Sequence, residues 1–191
     1  MASPKSMKSA DTRCTTVMAT LRARNEAFIK TQFDAEAPRI PTLHTLIVSC
    51  MDPRVDPAVV LGLQSGEAFV IRNVGGRVTP ATVQMITLLE AIFDARGVPA
   101  DQHFTLIVMH HTDCGLAQLE SRRELLAAHF QIDSTAIPEK AVTDPHAAVA
   151  VDVALLRANP TLRQHWDIYG MVYNVATGAA ETVVGSAAGA C

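Results

Sequence analysis

Two short segments of this sequence combine side chains that could bind a metal ion and carry out acid–base chemistry. The first contains Cys50, Asp52 and Arg54, and the second contains His111 and Cys114. Two thiolates and one imidazole form a Cys2His ligand set. Three protein ligands with an open fourth position are typical of catalytic zinc, whereas structural sites usually have four. The sequence therefore predicts that Cys50, His111 and Cys114 bind Zn²⁺.

The spacing within each segment favours this hypothesis. If the backbone at Cys50 is extended, Asp52 and Arg54 leave the same face of the chain as the thiol. Arg54 could then hold the carboxylate of Asp52 through paired hydrogen bonds and lower its pKa. In the second segment, a single turn would bring His111 and Cys114 to one side.

Each of these residues also has a purely structural interpretation. A buried cysteine is often a small hydrophobic residue, and either His110 or His111 could be a satisfied core histidine. The neighbouring aspartate and arginine could form an ordinary ion pair. The combination of both segments is what favours metal chemistry. Cys14 and Cys191 have no ligand-like neighbours in the sequence and are assigned no role in the site.

Both segments follow short apolar runs that predict buried strands. Such runs occupy residues 43–49, 68–71 and 104–109 and are typical of a parallel sheet covered on both faces. A helix between the second and third runs is predicted to begin at Thr79 and to end near Gly97. The apolar residues expected on its buried side are Val83, Ile86, Leu89, Ile92 and Phe93. Because ligands bind at the carboxyl ends of parallel strands, both segments should meet at one sheet edge.

The remaining sequence predicts three more helices, a loop and a strand. The helices cover residues 14–33, 116–130 and 147–156, the loop 131–145, and the last strand 168–176. Alternating strands and helices predict an α/β fold with a mostly parallel sheet. At 191 residues the chain is expected to form one domain. It would comprise an N-terminal arm (1–40), a catalytic core (41–178) and a tail (179–191).

Composition limits the possible partners and the compartment. Hydrophobic residues make up 49% and charged residues 18%, so some apolar surface is expected to face a partner subunit. The net charge of -3 and the lack of a basic block argue against a nucleic-acid partner. No apolar run approaches the roughly 20 residues of a membrane span. Dispersed cysteines and no signal-peptide pattern predict a cytoplasmic protein with reduced thiols.

At these residues the sequence resembles the β-carbonic anhydrase family. The Cys-x-Asp-x-Arg motif of that family matches residues 50–54, and its His-x-x-Cys-Gly motif matches residues 111–115. The spacing of the second motif selects His111 over His110 as the ligand. Arg72 and Asn73, followed by a small-residue turn, also match the segment between the motifs. The likeness runs from about residue 43 to 115, and more loosely to 178.

The resemblance implies a fold, an assembly and an activity. The fold is a mostly parallel sheet with flanking helices and an antiparallel last strand. The assembly is a homodimer or homotetramer in which the N-terminal helix packs across the partner. The activity is reversible hydration of carbon dioxide to bicarbonate and a proton, with Asp52 and Arg54 as the catalytic dyad. A candidate substrate pocket is formed by Asn73, Gly75 and Gly76.

Two alternatives remain open from the sequence. The same site could hydrolyse carbon disulfide or carbonyl sulfide, because relatives of this fold do so and tunnel shape is not visible in the sequence. A non-catalytic zinc-binding homologue is the other alternative. The presence of both Asp52 and Arg54 argues against it, since a structural zinc site has no need of them.

Overall fold

The computed structural model describes residues 5–162 and 166–185, with side chains described from Thr16 onwards. The described chain divides into two compact units, one ending at Ala37 and the other beginning at Pro38. The first contains helix α1 (Lys5–Thr31), which begins well before the start predicted near residue 14. Residues 5–13 contain good helix formers, including lysine, methionine, alanine and arginine, and lack glycine and proline.

The second unit is built on a five-stranded sheet with the order β2-β1-β3-β4-β5. Its strands are β1 (Thr45–Cys50), β2 (Ala68–Asn73), β3 (Phe104–His111), β4 (Trp166–Tyr173) and β5 (Ala180–Val184). Strands β1 to β4 are parallel, and β5 is antiparallel to β4. The prediction of a mostly parallel sheet with an antiparallel last strand is confirmed. The segment predicted to be that last strand is β4, however, and β5 lies in the segment assigned to the tail.

Among the described residues, this unit contains four α-helices: α2 (Pro57–Val60), α3 (Pro80–Ala95), α4 (Arg123–Phe130) and α5 (Pro145–Arg157). Helix α3 begins as predicted, because the Thr79 side chain accepts a hydrogen bond from the Thr82 amide. The prediction that Ile92 lies on the buried side of α3 was wrong, because this residue is 44% exposed. In the described residues no helix has an apolar stretch long enough to cross a membrane.

The segment between β3 and α5 differs most from the prediction. The single helix expected over 116–130 is a 3₁₀ helix (Gly115–Leu119) followed by α4, and the expected loop contains a further 3₁₀ helix (Ser134–Lys140). The break before α4 lies in a polar run whose side chains are exposed. Such a run has little core packing to favour a continuous helix.

The core surrounds the two strands that lead to the predicted site. All six residues of β1 are buried, as expected for a strand covered on both faces. Leu46 and Leu106, from β1 and β3, pack in one cluster with Ile86 of α3 and Val153 of α5. This close packing holds the carboxyl ends of β1 and β3 at fixed relative positions.

A buried ion pair joins α5 to the loop after β2. Arg77 and Asp152 are 2% and 0% exposed, and Arg77 Nε donates to Asp152 Oδ2 over 2.7 Å. The same carboxylate accepts from the Val78 amide, and His110 Nε2 lies 3.3 Å from it. Burial alone would raise the pKa of Asp152, but His110 and Arg77 lower it. His110 is therefore turned toward α5, and its neighbour His111 faces the opposite way along the strand.

Candidate metal centre

The structure brings the three predicted ligands together. Cys50 is the last residue of β1 and His111 is the last residue of β3. These strands are adjacent and parallel, so both residues lie at the same edge of the sheet. Cys114 returns to that edge three residues after β3 ends. The ligand atoms of the three residues all lie within 4.8 Å of one another.

The ring of His111 is oriented as a metal ligand requires. Its Nδ1 lies 2.9 Å from the Thr112 carbonyl oxygen, to which it donates a hydrogen bond. This contact leaves the lone pair on Nε2, which is buried and has no hydrogen-bond partner. A buried polar atom without a partner costs free energy. A metal ion on Nε2 would remove that cost, and a backbone hydrogen bond on the other nitrogen is the usual support for a histidine ligand.

The two thiols lie close enough together to bind the same cation. Cys50 is 4% exposed, and its sulfur accepts a hydrogen bond from the Asp52 amide over 3.4 Å and lies within 4.8 Å of the Cys114 sulfur. The contact with Cys114 is the main cause that lowers the pKa of Cys50, against the effect of burial. The same contact raises the pKa of Cys114. A divalent cation would stabilise both thiolates at once.

These observations fit a zinc ion. Thiolate sulfur and imidazole nitrogen are the ligands that zinc takes in proteins, and the three donors lie close enough for one ion to contact them all. Both cysteines are free thiols. The donor set contains three protein groups, which leaves a fourth position for chemistry.

Arg54 lies between two carboxylates. Its Nε and Nη2 donate to Asp52 Oδ1 and Oδ2 over 3.0 and 2.8 Å, so the predicted contact between Arg54 and Asp52 is present. Hydrogen bonding by Arg54 holds the pKa of Asp52 well below its usual range. Arg54 Nη1 also donates to Asp113 Oδ2 over 2.8 Å. Asp113 was not predicted to belong to the site, because its only local signal in the sequence is its position beside Cys114.

Arg72, which the sequence matched to the segment between the motifs, makes contacts at the site that the sequence did not predict. Its Nε and Nη2 donate to the carbonyl oxygens of Cys50 and Asp52 over 3.0 and 2.7 Å. Its Nη1 pairs with Asp56 Oδ2 at 2.6 Å. Arg72 therefore fixes the backbone of the loop that carries both a ligand and the predicted catalytic carboxylate. No feature of the sequence near Arg72 indicates these partners.

Of the three residues predicted to form a substrate pocket, Gly75 lines a cavity in the described part of the chain. That cavity has a volume of about 300 Å³ and also contacts His111 and Cys114. The side chain of Asn73 binds the backbone of Arg77 instead. It accepts a hydrogen bond from the Arg77 amide and donates one to the Arg77 carbonyl oxygen. Gly76 lies against the backbone of β1. Asn73 and Gly76 thus shape the loop after β2 and do not line the cavity.

Replacing Gly76 with alanine is expected to destabilise the metal centre. A Cβ atom would lie 2.7 Å from the Cys50 backbone nitrogen, and the φ of +65° disfavours a side chain. The expected cost is about 1–3 kcal/mol in the free energy of unfolding, with weaker zinc retention. Urea unfolding and metal analysis measure the two effects.

The matched control is Gly62→Ala. Gly62 has a similar φ of +67°, but a Cβ atom added there would have no atom within 4 Å. It reports the cost of the backbone conformation alone. Equal destabilisation of the two variants would show that contact with β1 is not what requires glycine at position 76.

Known proteins resemble this chain in sequence and in structure. The family model described as carbonic anhydrase matches residues 45–180. β-Carbonic anhydrase 1 of Mycobacterium tuberculosis is 31% identical over 148 residues, which cover 76% of this chain and 85% of that protein. A carbonic anhydrase structure from Streptococcus mutans has a TM-score of 0.67 and 30% identity, covering 87% of this chain and 96% of that one.

A relative named for a different activity also matches. The carbon disulfide hydrolase of an Acidianus strain is 26% identical over 156 residues, covering 69% of this chain and 72% of that protein. The family match spans all three predicted ligands and most of the chain. With a Cys2His centre at the carboxyl edge of a mainly parallel sheet, this chain belongs to the β class of the carbonic anhydrase family.

Proposed function

We propose that this protein catalyses the reversible hydration of carbon dioxide to bicarbonate and a proton. Cys50, His111 and Cys114 would hold the zinc ion, and Asp52 with Arg54 would form the catalytic dyad. The observation that carries the proposal is the grouping of two thiols and an unpartnered imidazole nitrogen beside an arginine-held carboxylate. A purely structural zinc site would have no use for that carboxylate.

Each polar group of the site has a distinct role in the proposed reaction. Bound zinc lowers the pKa of a water molecule toward neutrality and so supplies a nucleophile at neutral pH. Asp52 remains ionised because Arg54 lowers its pKa, so it can accept a hydrogen bond and orient the attacking group. Arg54 holds both oxygens of that carboxylate and limits its rotation.

The cavity beside Gly75 is a candidate place for the substrate. It has room for a three-atom molecule, and Leu116 and Ala148 contribute apolar surface to it. Gly75 lets the Leu116 side chain pack against the backbone at the edge of this cavity, since a Cβ atom at position 75 would clash with Leu116. Carbon dioxide has no net charge, so a small and partly apolar space suits it.

The test is a stopped-flow carbon dioxide hydration assay on the purified protein, run beside metal analysis. We expect one zinc per chain and a hydration rate that falls to background when the metal is removed and returns when zinc is restored. The second arm of the assay supplies carbon disulfide. Hydrolysis of carbon disulfide with carbon dioxide hydration at background would replace the proposal with the activity of the Acidianus relative. A zinc-loaded protein inactive in both arms would refute catalysis.

We also propose that the protein acts as a homodimer or homotetramer. Helix α1 carries apolar side chains that are 38–57% exposed within the described chain: Val17, Met18, Leu21, Phe28 and Ile29. Apolar surface of this extent is usually covered by a partner. Leu21→Glu should therefore convert the oligomer to monomers or cause aggregation, as measured by sedimentation velocity at micromolar concentration.

The control for this change is Ala19→Glu on the same helix. Ala19 lies on the side of α1 opposite to Leu21, so the added charge should leave the oligomer intact. A wild-type protein that sediments as a stable monomer would contradict the proposed assembly.

We propose a cytoplasmic location as well. Both site thiols must stay reduced to bind zinc, and the described cysteines are free. Reduced thiols persist in the cytosol, whereas extracellular and periplasmic environments favour disulfides. Cell fractionation with antibody detection tests the location, and recovery of the protein outside the cytosolic fraction would contradict it.

A further inference from the structure

We propose that Asp113 is a positioning residue, which acts through Arg54 to keep Asp52 away from the metal's fourth position. The inference rests on the proposed function in that it assigns Asp52 to the working side of the metal centre. In this assignment Asp113, although it lines the same cavity as Gly75, acts on Arg54 and not on the substrate or the ligand atoms. Its role is to fix the guanidinium that holds Asp52.

The geometry of Arg54 carries the inference. Its side chain makes four hydrogen bonds, two to the Asp52 carboxylate and two to Asp113. Nη1 donates to Asp113 Oδ2 over 2.8 Å, and Nη2 donates to the Asp113 carbonyl oxygen over 3.0 Å. One planar guanidinium is thus bound by groups on two of its sides. This arrangement fixes its plane more firmly than a single carboxylate can.

The two sets of contacts come from different parts of the chain. Asp52 and Arg54 are two residues apart in the loop after β1, so they could move together as a local pair. Asp113 belongs to the loop after β3, which also carries Cys114. The hydrogen bonds from Arg54 to Asp113 therefore fasten the catalytic pair to the ligand loop. Because the Arg54 side chain is 46% exposed, its conformation depends on such anchors.

The conformation of Asp52 matters because a carboxylate is itself a competent zinc ligand. The Asp52 amide donates to the Cys50 sulfur over 3.4 Å, so the backbone of Asp52 is adjacent to the ligand group. Held by Arg54, Asp52 can serve as an acceptor for the reacting group. Released from Arg54, it could occupy the open position and exclude any other ligand. A firmly anchored Arg54 favours the first state.

The backbone conformation at Asp113 is compatible with two substitutions that test the role of its carboxylate. Its φ of 54° is in the left-handed region, which glycine adopts freely and which asparagine and aspartate tolerate. Asp113→Gly removes the carboxylate without backbone strain. Asp113→Asn keeps the shape and the conformational preference but removes the charge. Neither change touches a proposed metal ligand.

The experiment measures access to the fourth position by titrating azide into the cobalt(II)-loaded full-length protein and following the visible spectrum. We expect Asp113→Gly to weaken azide binding about fivefold, the upper range for losing one partly exposed charged contact. Asp113→Asn should give a smaller loss. The direction of the change in azide affinity distinguishes the two explanations. Removal of a negative charge near the metal would by itself strengthen the binding of an anion, whereas the proposal expects weaker binding.

A double variant separates positioning from other effects. In Asp52→Asn no carboxylate is available to close the site, so adding Asp113→Gly should leave azide affinity unchanged. Asp101→Asn, an exposed carboxylate with no role in the site, serves as the charge control and should bind azide as the wild type does. Unchanged or tighter azide binding by Asp113→Gly would overturn the proposal, as would a weakening that persists in the Asp52→Asn background.

This test is independent of carbon dioxide hydration. A protein that binds cobalt and azide but lacks hydration activity would refute the proposed function, while the effect of Asp113 on the open position would still be measured. A protein whose azide affinity is insensitive to Asp113 but which hydrates carbon dioxide would refute only the positioning role.

Discussion

Replacing His111 with alanine is expected to remove most of the zinc and to bring carbon dioxide hydration to background. The imidazole supplies the only nitrogen of the proposed ligand set, and two thiols alone leave the ion with too few protein ligands for tight binding. Cys114→Ser should act in the same direction, because a serine hydroxyl stays protonated at neutral pH and binds zinc poorly. Metal content after dialysis and stopped-flow rates measure both losses.

The control for this prediction is His146→Ala. His146 is about half exposed, contacts Glu181 and does not line the cavity beside the ligand group, so its loss should change neither metal content nor rate. Full zinc occupancy in Cys114→Ser or His111→Ala would show that the ion is held by other residues. Circular dichroism of each variant separates a lost ligand from a lost fold.

Changing either member of the dyad should abolish most of the turnover while zinc stays bound. Asp52→Asn replaces an ionised acceptor by a neutral amide, and Arg54→Ala frees Asp52 to swing onto the metal. Loss of one oriented electrostatic contact in an active site costs about a hundredfold or more in kcat. We therefore expect at least that fall in both variants, measured as the hydration rate per bound zinc.

The two dyad variants should differ in how they respond to anions. Arg54→Ala should bind azide weakly because Asp52 competes for the fourth position, whereas Asp52→Asn leaves that position open. Arg122→Ala, an exposed arginine outside the site, is the control for losing a positive charge. Near wild-type turnover in either dyad variant would make Asp52 and Arg54 a structural ion pair and would refute the proposed mechanism.

The sequence alone predicted the grouping of Cys50, His111 and Cys114, the contact between Arg54 and Asp52, and the strands that lead to them. These features depend on short-range patterns: residues spaced by two on an extended chain, a histidine and cysteine one turn apart, and continuous apolar runs of buried strands. The start of α3 was predictable for the same reason, since Thr79 caps the helix from an adjacent position. The strand β5 was missed because it is a short strand with mostly exposed residues, and its sequence lacks an apolar run.

Only the tertiary structure decided which distant residues support the site. Asp113 meets Arg54 across 59 positions, and Arg72 reaches the Cys50 carbonyl across 22. Neither pairing has a periodicity or motif that marks it. Both arise because the register of β1 against its two neighbours brings three loops to one edge of the sheet.

His110 and His111 illustrate the same difference between what the sequence predicts and what the tertiary structure decides. The motif spacing selected His111, but nothing in the sequence indicated that His110 would lie beside Asp152 and Arg77. Successive side chains of a strand point to opposite faces, so one histidine had to enter the metal site and the other the layer under α5. The packing of the helices on the sheet determines which side chains lie on each of its faces. That packing depends on contacts between residues far apart in the chain.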